Sequence, residues 1–219
     1  MLLFIVFAAI IVVVKSRMTE EQREIILRCH NDARSRAIRG ELKNKDGIFM
    51  PHGRNMLEMT WNYELEDSAQ KTAELIEFSP KDIIEKIGEN VHFHSMIEGV
   101  TIEDMTSIIS RAACESWEAE HRELHQDNSS NRFNPLNNSA SHFTQMIWGE
   151  THEIGCGMAQ YKLKLDFMQF VCHYWPRGNI PNELIYELGE PCKDDNDCNA
   201  DICLKESGLC RKNRRRGIS

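Results

Sequence analysis

SHFTQMIWGETHEIGCG, residues 141–157, is the stretch on which the reading turns. His142 stands among apolar and hydroxyl side chains, Trp148 follows six positions on, and Gly155-Cys156-Gly157 closes the run. An imidazole in such a setting is a metal ligand, a general base or a hydrogen-bonded core group, and its partners decide which. Just downstream, 153–162 and 167–175 are rich in Ile, Met, Tyr, Phe, Val and Trp, which predicts two strands of a buried sheet. The link from Leu163 to Asp166 is short, so the strands are expected as an antiparallel hairpin. Cys156 and Cys172 lie equally far from its middle, residue 164. Directly opposed positions fall within the Cα separation that a disulfide needs. Such a Cys156–Cys172 bridge stabilises by about 3 kcal/mol in the chain-entropy treatment.

Upstream, helical spacing predicts three helices. The first runs over 20–39: Thr19 and Gln22 form a capping box, Ile26, Cys29, Ala33 and Ala37 share a face, and Gly40 stops it. Residues 40–60 read as loop. The second covers 63–77, with Leu65, Ala69, Ala73 and Ile76 on one side. The third covers 102–124, with Met105, Ile109, Ala112 and the run Cys114 to Trp117 expected to face inward. Cys29 and Cys114 are then the natural helix-to-helix pair. Residues 126–141 are polar and turn-rich, an exposed loop with glycosylation sequons at Asn128 and Asn137.

From Gly189 the composition changes. Cys192, Cys198, Cys203 and Cys210 fall within 19 positions that hold few large apolar residues. Such a segment needs two disulfides in place of a core, and spacing alone leaves their pairing open. The elements add up to an α+β domain over 17–188, a small cysteine-rich C-terminal extension over 189–210 and a basic tail over 211–219.

Residues 2–14 are continuously apolar, a run of 13. That is short of the roughly 20 residues of a membrane-spanning helix. With Val14 and Ser16 small enough for cleavage after Ser16, residues 1–16 read as a secretory signal peptide, an uncleaved anchor being the alternative. Secretion agrees with eight cysteines in the chain. No second apolar run of that length exists, so no membrane span is expected. The net charge is −8 over the whole chain, and losing Lys15 with the leader makes it −9. An acidic body argues against nucleic acid as a partner. The basic tail suits heparin-like polyanions or acidic lipids.

Two segments, SHFTQMIWGET (141–151) and FVCHYWPRGNI (170–180), closely resemble the paired signatures of the CAP superfamily, the group of cysteine-rich secretory, antigen 5 and pathogenesis-related 1 proteins. Cys29-His30-Asn31 with Arg34, and Gly88-Glu89-Asn90, match two shorter elements of that family in order and distance. The extension resembles the single-domain venom-allergen-like, or activation-associated secreted, proteins of parasitic nematodes. The resemblance implies secretion, an α-β-α sandwich, and a cleft where two His and two Glu gather and in some members hold a divalent cation. Carried over singly, the cleft residues are His142, Glu89 and Glu115, the last standing two before Trp117. The second His is absent; Phe78 takes its place. Zinc favours four ligands, or three plus water. The expectation is therefore no resident cofactor and at most a weakly held cation on Glu89, Glu115 and His142. A hydrogen-bonded cluster of the three is the alternative.

The function implied is that of a secreted, non-enzymatic binding protein for a sterol or fatty acid, for host extracellular proteins or glycosaminoglycans, or for both, with modulation of host immunity as the outcome. Leu75, Ile76, Phe78, Ile83, Ile84 and Ile87 are the candidate lipid contacts. Only one of them is aromatic, which weakens the sterol reading, while aliphatic burial still contributes about 25 cal/mol per Å². The alternatives are a cation-dependent hydrolase at Glu89, Glu115 and His142, and a pure receptor- or glycosaminoglycan-binding module. His121 and His125 lie four apart but lack the glutamate a zincin carries after its first His, and are expected at a solvated helix end. His92 and His94 are expected on one side of an extended segment near the cleft. Trp148, Trp175 and Tyr174 are expected in the core, and the sequence shows no nucleophile–base–orienter set.

Overall fold

A computed structural model of the chain describes residues 12–75, 86–123, 130–136, 139–162, 166–199 and 202–212. At its centre β5 (Glu153–Lys162) and β6 (Phe167–Trp175) pair antiparallel, with Cys156 opposite Cys172 and a disulfide joining them. β4 (Gly88–Ser95) adds to β6 antiparallel. On the other side, β1 (Val12–Ser16) and the two-residue β3 (Thr60–Trp61) both pair with β5, giving a five-stranded mixed sheet in the order β1-β5-β6-β4 with β3 off that path. The backbone of residues 12–16, the end of the expected leader, thus forms a strand, with Ser16 opposite Met158.

The glycines of the GCG motif explain how one helix reaches the sheet. A Cβ on Gly155 would stand 2.1 Å from Glu66 N, and one on Gly157 2.4 Å from Gln70 N. α2 (Tyr63–Ala73) therefore lies directly on β5, at a distance that only glycine allows. Cys156, one residue out of phase, points to the opposite face. There α1 (Glu20–Ile38), α3 (Ile102–Glu123) and the short α4 (Ser141–Met146) pack, and Cys29–Cys114 ties α1 to α3. The result is an α-β-α layering. Both nitrogen-to-side-chain bonds of the α1 capping box are present. Among the described residues no helix is long and apolar enough to cross a membrane.

Three expectations are corrected. On α3 the buried positions are Met105, Ile109, Ala113, Cys114 and Trp117, while Glu115 and Ser116 are exposed and Ala112 is half-buried. A run of four successive residues sweeps most of the way round a helix, so it cannot face inward throughout. Trp175 is 45% exposed at the end of β6, whereas Trp148 and Tyr174 are buried. His121 is not solvated: it is buried, stacks obliquely against Phe143 and donates from Nδ1 to the Lys43 carbonyl. His125, Asn128 and Asn137 lie outside the described residues.

The extension is pinned rather than pendant. Its disulfides are Cys192–Cys203 and Cys198–Cys210, which tie the two strands of the small hairpin, β8 (Ile202–Leu204) and β9 (Leu209–Arg211), to the segment before it, where a 3₁₀ turn lies at 195–197. The Cys210 main chain donates to Met56 O (2.8 Å) and accepts from Glu58 N (2.7 Å), and the four sulfurs bury Leu57. β7 (Glu187–Leu188) pairs with β2 (Gly53–Arg54) beside it.

Arg34 joins the parts. Buried in α1, it donates to five main-chain carbonyls: Leu57 (2.8 Å), Met146 (2.8 Å), Trp148 (2.9 Å), Gly149 (3.1 Å) and Thr151 (2.8 Å). Arg34→Met keeps the aliphatic bulk and removes the donor from the Leu57, Met146 and Thr151 carbonyls, while Gly149 O and Trp148 O keep main-chain donors in Leu57 N and Thr151 N. It should destabilise the protein by at least about 3 kcal/mol, read as a lower urea midpoint. Glu150→Gln, which removes an exposed charge near Arg34, should shift stability by less than about 0.5 kcal/mol.

Candidate functional site

The site begins with a helix that lacks its own cap. Ala140 at the start of α4 offers no side-chain acceptor. Glu120 of α3 supplies one: Oε2 accepts from the His142 and Phe143 amides, each at 3.0 Å, and Oε1 accepts from His142 Nδ1 at 2.6 Å. An anion there meets the unpaired N–H groups and the positive end of the helix dipole. The His142 ring lies flat against Trp117 (centroids 5.9 Å, 14°), and Trp117 stacks in turn on Phe170. The His142 side chain is 36% exposed. β4 brings His92 and His94 to the same side, their rings stacked at 5.9 Å. Burial, then the charges of His94 and His142, push the His92 pKa down.

The expected cluster of Glu89, Glu115 and His142 is not assembled. Glu115 is exposed; the carboxylate at His142 is Glu120, three residues after Trp117 and so on its side of the helix. Glu89 points to the face that α2 covers, where Oε2 accepts from His173 Nε2 at 3.0 Å. Its neighbour Asn90 points to the α4 face. The signal that was available is the Trp-x-x-Glu spacing of residues 117–120. A carboxylate on Nδ1 does orient an imidazole for ligation through Nε2. The remaining ligands expected for a cation are elsewhere. Among the described residues, the groups of three ligand atoms that converge are Cys29, His30 and Cys114, and Cys192, Cys198 and Cys203; all five sulfurs are in disulfides.

Behind His142 runs a buried polar chain. His30 Nδ1 donates to Ile26 O (2.8 Å), and Tyr174 OH donates to His30 Nε2 (2.9 Å). Asn90 Nδ2 donates to the Tyr174 oxygen and to His142 O, both at 3.1 Å. Burial is the main cause that lowers the His30 pKa to about 4, the Ile26 bond opposing it and the Arg34 charge adding to it. Burial likewise holds Tyr174 well above the usual phenol value.

Of the candidate lipid contacts, Ile76, Phe78, Ile83 and Ile84 lie outside the described residues. Leu75 is exposed, and Ile87 lines a cavity of about 270 Å³ with Glu89, Gln145 and Arg177. A larger cavity, about 550 Å³, opens beside it around Trp148, Pro176, Ile180 and Leu184, and Arg177 borders both.

Residues 27–174, more than half of the chain, match the model of the CAP cysteine-rich secretory protein family. The chain belongs to that family. Venom allergen 5 of Vespula pensylvanica is 32% identical over 184 residues, which is 80% of this chain and 85% of the relative. Venom allergen 5 of Tityus serrulatus is 30% identical over 88% of this chain. The chain spans about half the length of the Tityus serrulatus and Trittame loki relatives, 48% in each case. Among solved structures, BmVAL-1 is 42% identical with a TM-score of 0.82, covering 90% of this chain and 97% of that one. NaASP2, solved with Zn²⁺, is 28% identical with a TM-score of 0.73, covering 88% and 96%. The CAP fold thus confirmed gives the four signature elements a physical meaning here. His30, Tyr174, Asn90 and His142 come one from each element and form one hydrogen-bonded chain.

Two outcomes follow from the geometry. Glu120→Ala should destabilise by about 2 kcal/mol through loss of the α4 cap, while Glu115→Ala should stay within about 0.5 kcal/mol, both measured by chemical denaturation. The second concerns pH. His30 is neutral in the folded state down to about pH 4, while the unfolded chain protonates it near 6.5. Its contribution is therefore complete above pH 6.5 and is lost as pH falls to about 4, some 3 kcal/mol in all. Unfolding free energies from urea titrations at pH 7 and pH 4 should differ by that much less in His30→Gln than in the parent.

Proposed function

We propose that this CAP protein is secreted and binds, without chemical change at that site, a lipid with an anionic head, a fatty acid rather than a neutral sterol. In this reading the leader 1–16 is removed, the sequons at Asn128 and Asn137 carry glycans, and host extracellular molecules are what the protein meets. The observation that supports it is the cavity of about 550 Å³. Its size is in the range of small-molecule sites. Trp148, Pro176, Ile180 and Leu184 give it an apolar wall, against which an alkyl chain gains about 25 cal/mol per Å². Arg54, Arg132 and Arg177 stand at the same cavity. Glu150, Glu183 and Glu187 line it too; Arg54 pairs with Glu187 at 3.1 Å and Arg132 donates to the Asn182 carbonyl, so a carboxylate head would share these guanidinium groups with the partners they already hold. The His142 cleft plays an organising part in this reading; its one carboxylate is occupied by the α4 amides.

Displacement of a fluorescent fatty acid tests this. Saturable binding at micromolar protein is expected, competed by palmitate and not by cholesterol. Ile180→Glu and Arg177→Gln should each weaken it at least tenfold. Competition by cholesterol alone would transfer the assignment to a sterol. Loss of binding in Ile83→Asp, with Ile180→Glu unaffected, would move the site to residues 75–87. Absence of saturable binding removes the lipid reading altogether.

A further inference from the structure

The α2 face of the sheet holds a second polar chain that is separate from the His142 cleft and from the larger cavity; of its members Glu89 borders the smaller cavity. Ser68 of α2, His173 of β6 and Glu89 of β4 stand in line. Ser68 Oγ lies 3.1 Å from His173 Nδ1, and His173 Nε2 lies 3.0 Å from Glu89 Oε2. The residues are 105 and 84 positions apart in sequence, which is why no such set is legible there. The fold supplies the proximity: Glu89 and His173 are directly opposed in the β4–β6 register, and the glycines of β5 let α2 settle close enough for Ser68 to reach the ring.

The protonation pattern follows from the acceptors. Glu89 accepts, so Nε2 carries the hydrogen; Nδ1 then has its lone pair toward Ser68 and accepts the hydroxyl proton. This is the order nucleophile, base, orienter, at the spacing such sets require. The His173 side chain is 0% exposed and that of Glu89 9%, so the bond between them is little weakened by water. Ser68 is half-buried in the middle of α2, and its oxygen lone pairs are not engaged by the bond to Nδ1.

We propose that Ser68 is a nucleophile, activated by His173 and held in place through Glu89, that accepts acyl groups from small carboxylic esters. Ser68 Oγ attacks the ester carbonyl carbon while its proton passes to His173 Nδ1. The imidazolium so formed is stabilised by the Glu89 carboxylate. Collapse of the tetrahedral adduct breaks the bond to the leaving alkoxide, which takes the proton from Nδ1. Acyl-Ser68 and a free alcohol result, and water repeats the sequence to release the carboxylic acid. Glu89 never touches the ester and is a positioning residue. The site lies across the sheet from the His142 cleft, and its activity is independent of the lipid reading above.

The test uses the full disulfide-bonded chain and p-nitrophenyl acetate. A burst of one equivalent of p-nitrophenolate is expected, with one acetyl group mapped by mass spectrometry to Ser68. Ser68→Ala should abolish the burst. Glu89→Gln should lower the maximal acylation rate at least tenfold while leaving the half-saturating ester concentration unchanged, and Glu89→Asp should restore part of the rate. His173→Gln should behave as Glu89→Gln does; if it fails to fold, the Ser68 and Glu89 variants decide the matter. An unacetylated Ser68 in the parent chain overturns the proposal, as does an unaltered acylation rate in Glu89→Gln.

Discussion

One buried guanidinium sets the arrangement on which the rest depends. The segment 146–151 leaves α4 and enters β5 inside the core, where main-chain donors reach two of its carbonyls, Leu57 N on Gly149 O and Thr151 N on Trp148 O. Buried main-chain acceptors need donors. Arg34 offers five N–H groups in a fixed plane and meets five carbonyls, four of them in that segment and the fifth on Leu57. Burying a cation without a carboxylate in contact is unfavourable, and burial lowers the Arg34 pKa to about 9, partly offset by the Glu150 charge. The carbonyl dipoles do what a counter-ion does elsewhere. Lysine, with three donors on a point charge, could not span the same set. By holding Leu57, Arg34 also fixes the segment against which the C-terminal disulfides pack.

The imidazole of His142 depends on that frame at one remove. Its helix is too short to be stable alone and has no cap of its own. Glu120 caps it from α3, Trp117 supports the ring from the same helix, and Asn90 holds its carbonyl from the sheet. Cys29–Cys114 fixes α3 against α1, so the cap and the guanidinium belong to one rigid layer. What resembles a catalytic constellation in sequence is, in the folded chain, first a means of holding α4 in register with β6.

The hairpin was legible because two physical rules agreed: a continuous apolar and aromatic composition that suits a buried sheet, and a symmetric pair of cysteines. The first helix was legible from its capping box. β4 was harder, since GENVHFHS mixes glycine, charge and imidazole and lies at the sheet's edge, half solvated. Its strand character comes from pairing with β6. The family resemblance points to Glu115, two residues before Trp117, whereas the helix sorts residues by angle; three positions after the tryptophan is near, two before is far round. Trp175 looked like core by composition and is exposed because β6 ends there, next to Pro176. The GCG motif had a role that no composition rule reveals, because the close neighbour is a helix nearly a hundred residues away.

Strand alternation finally explains why this sheet carries two polar chains instead of one cluster. Glu89 and Asn90 are adjacent in β4, and His173 and Tyr174 are adjacent in β6, so each dipeptide sends one side chain to each face. Asn90 and Tyr174 go to the α1 and α4 side and join His30 to His142; Glu89 and His173 go to the α2 side and meet Ser68. A cation shared by Glu89 and His142 would need Glu89 on the other face. A one-residue slip of β4 would put it there, but would also turn Asn90 away from Tyr174 and bring the exposed Phe93 inward. The paired polar bonds on both faces resist that slip together, since breaking either leaves buried donors or acceptors unmatched. Separate chemistry on the two faces is thus a consequence of register, and the register is fixed by the same residues that would have to move.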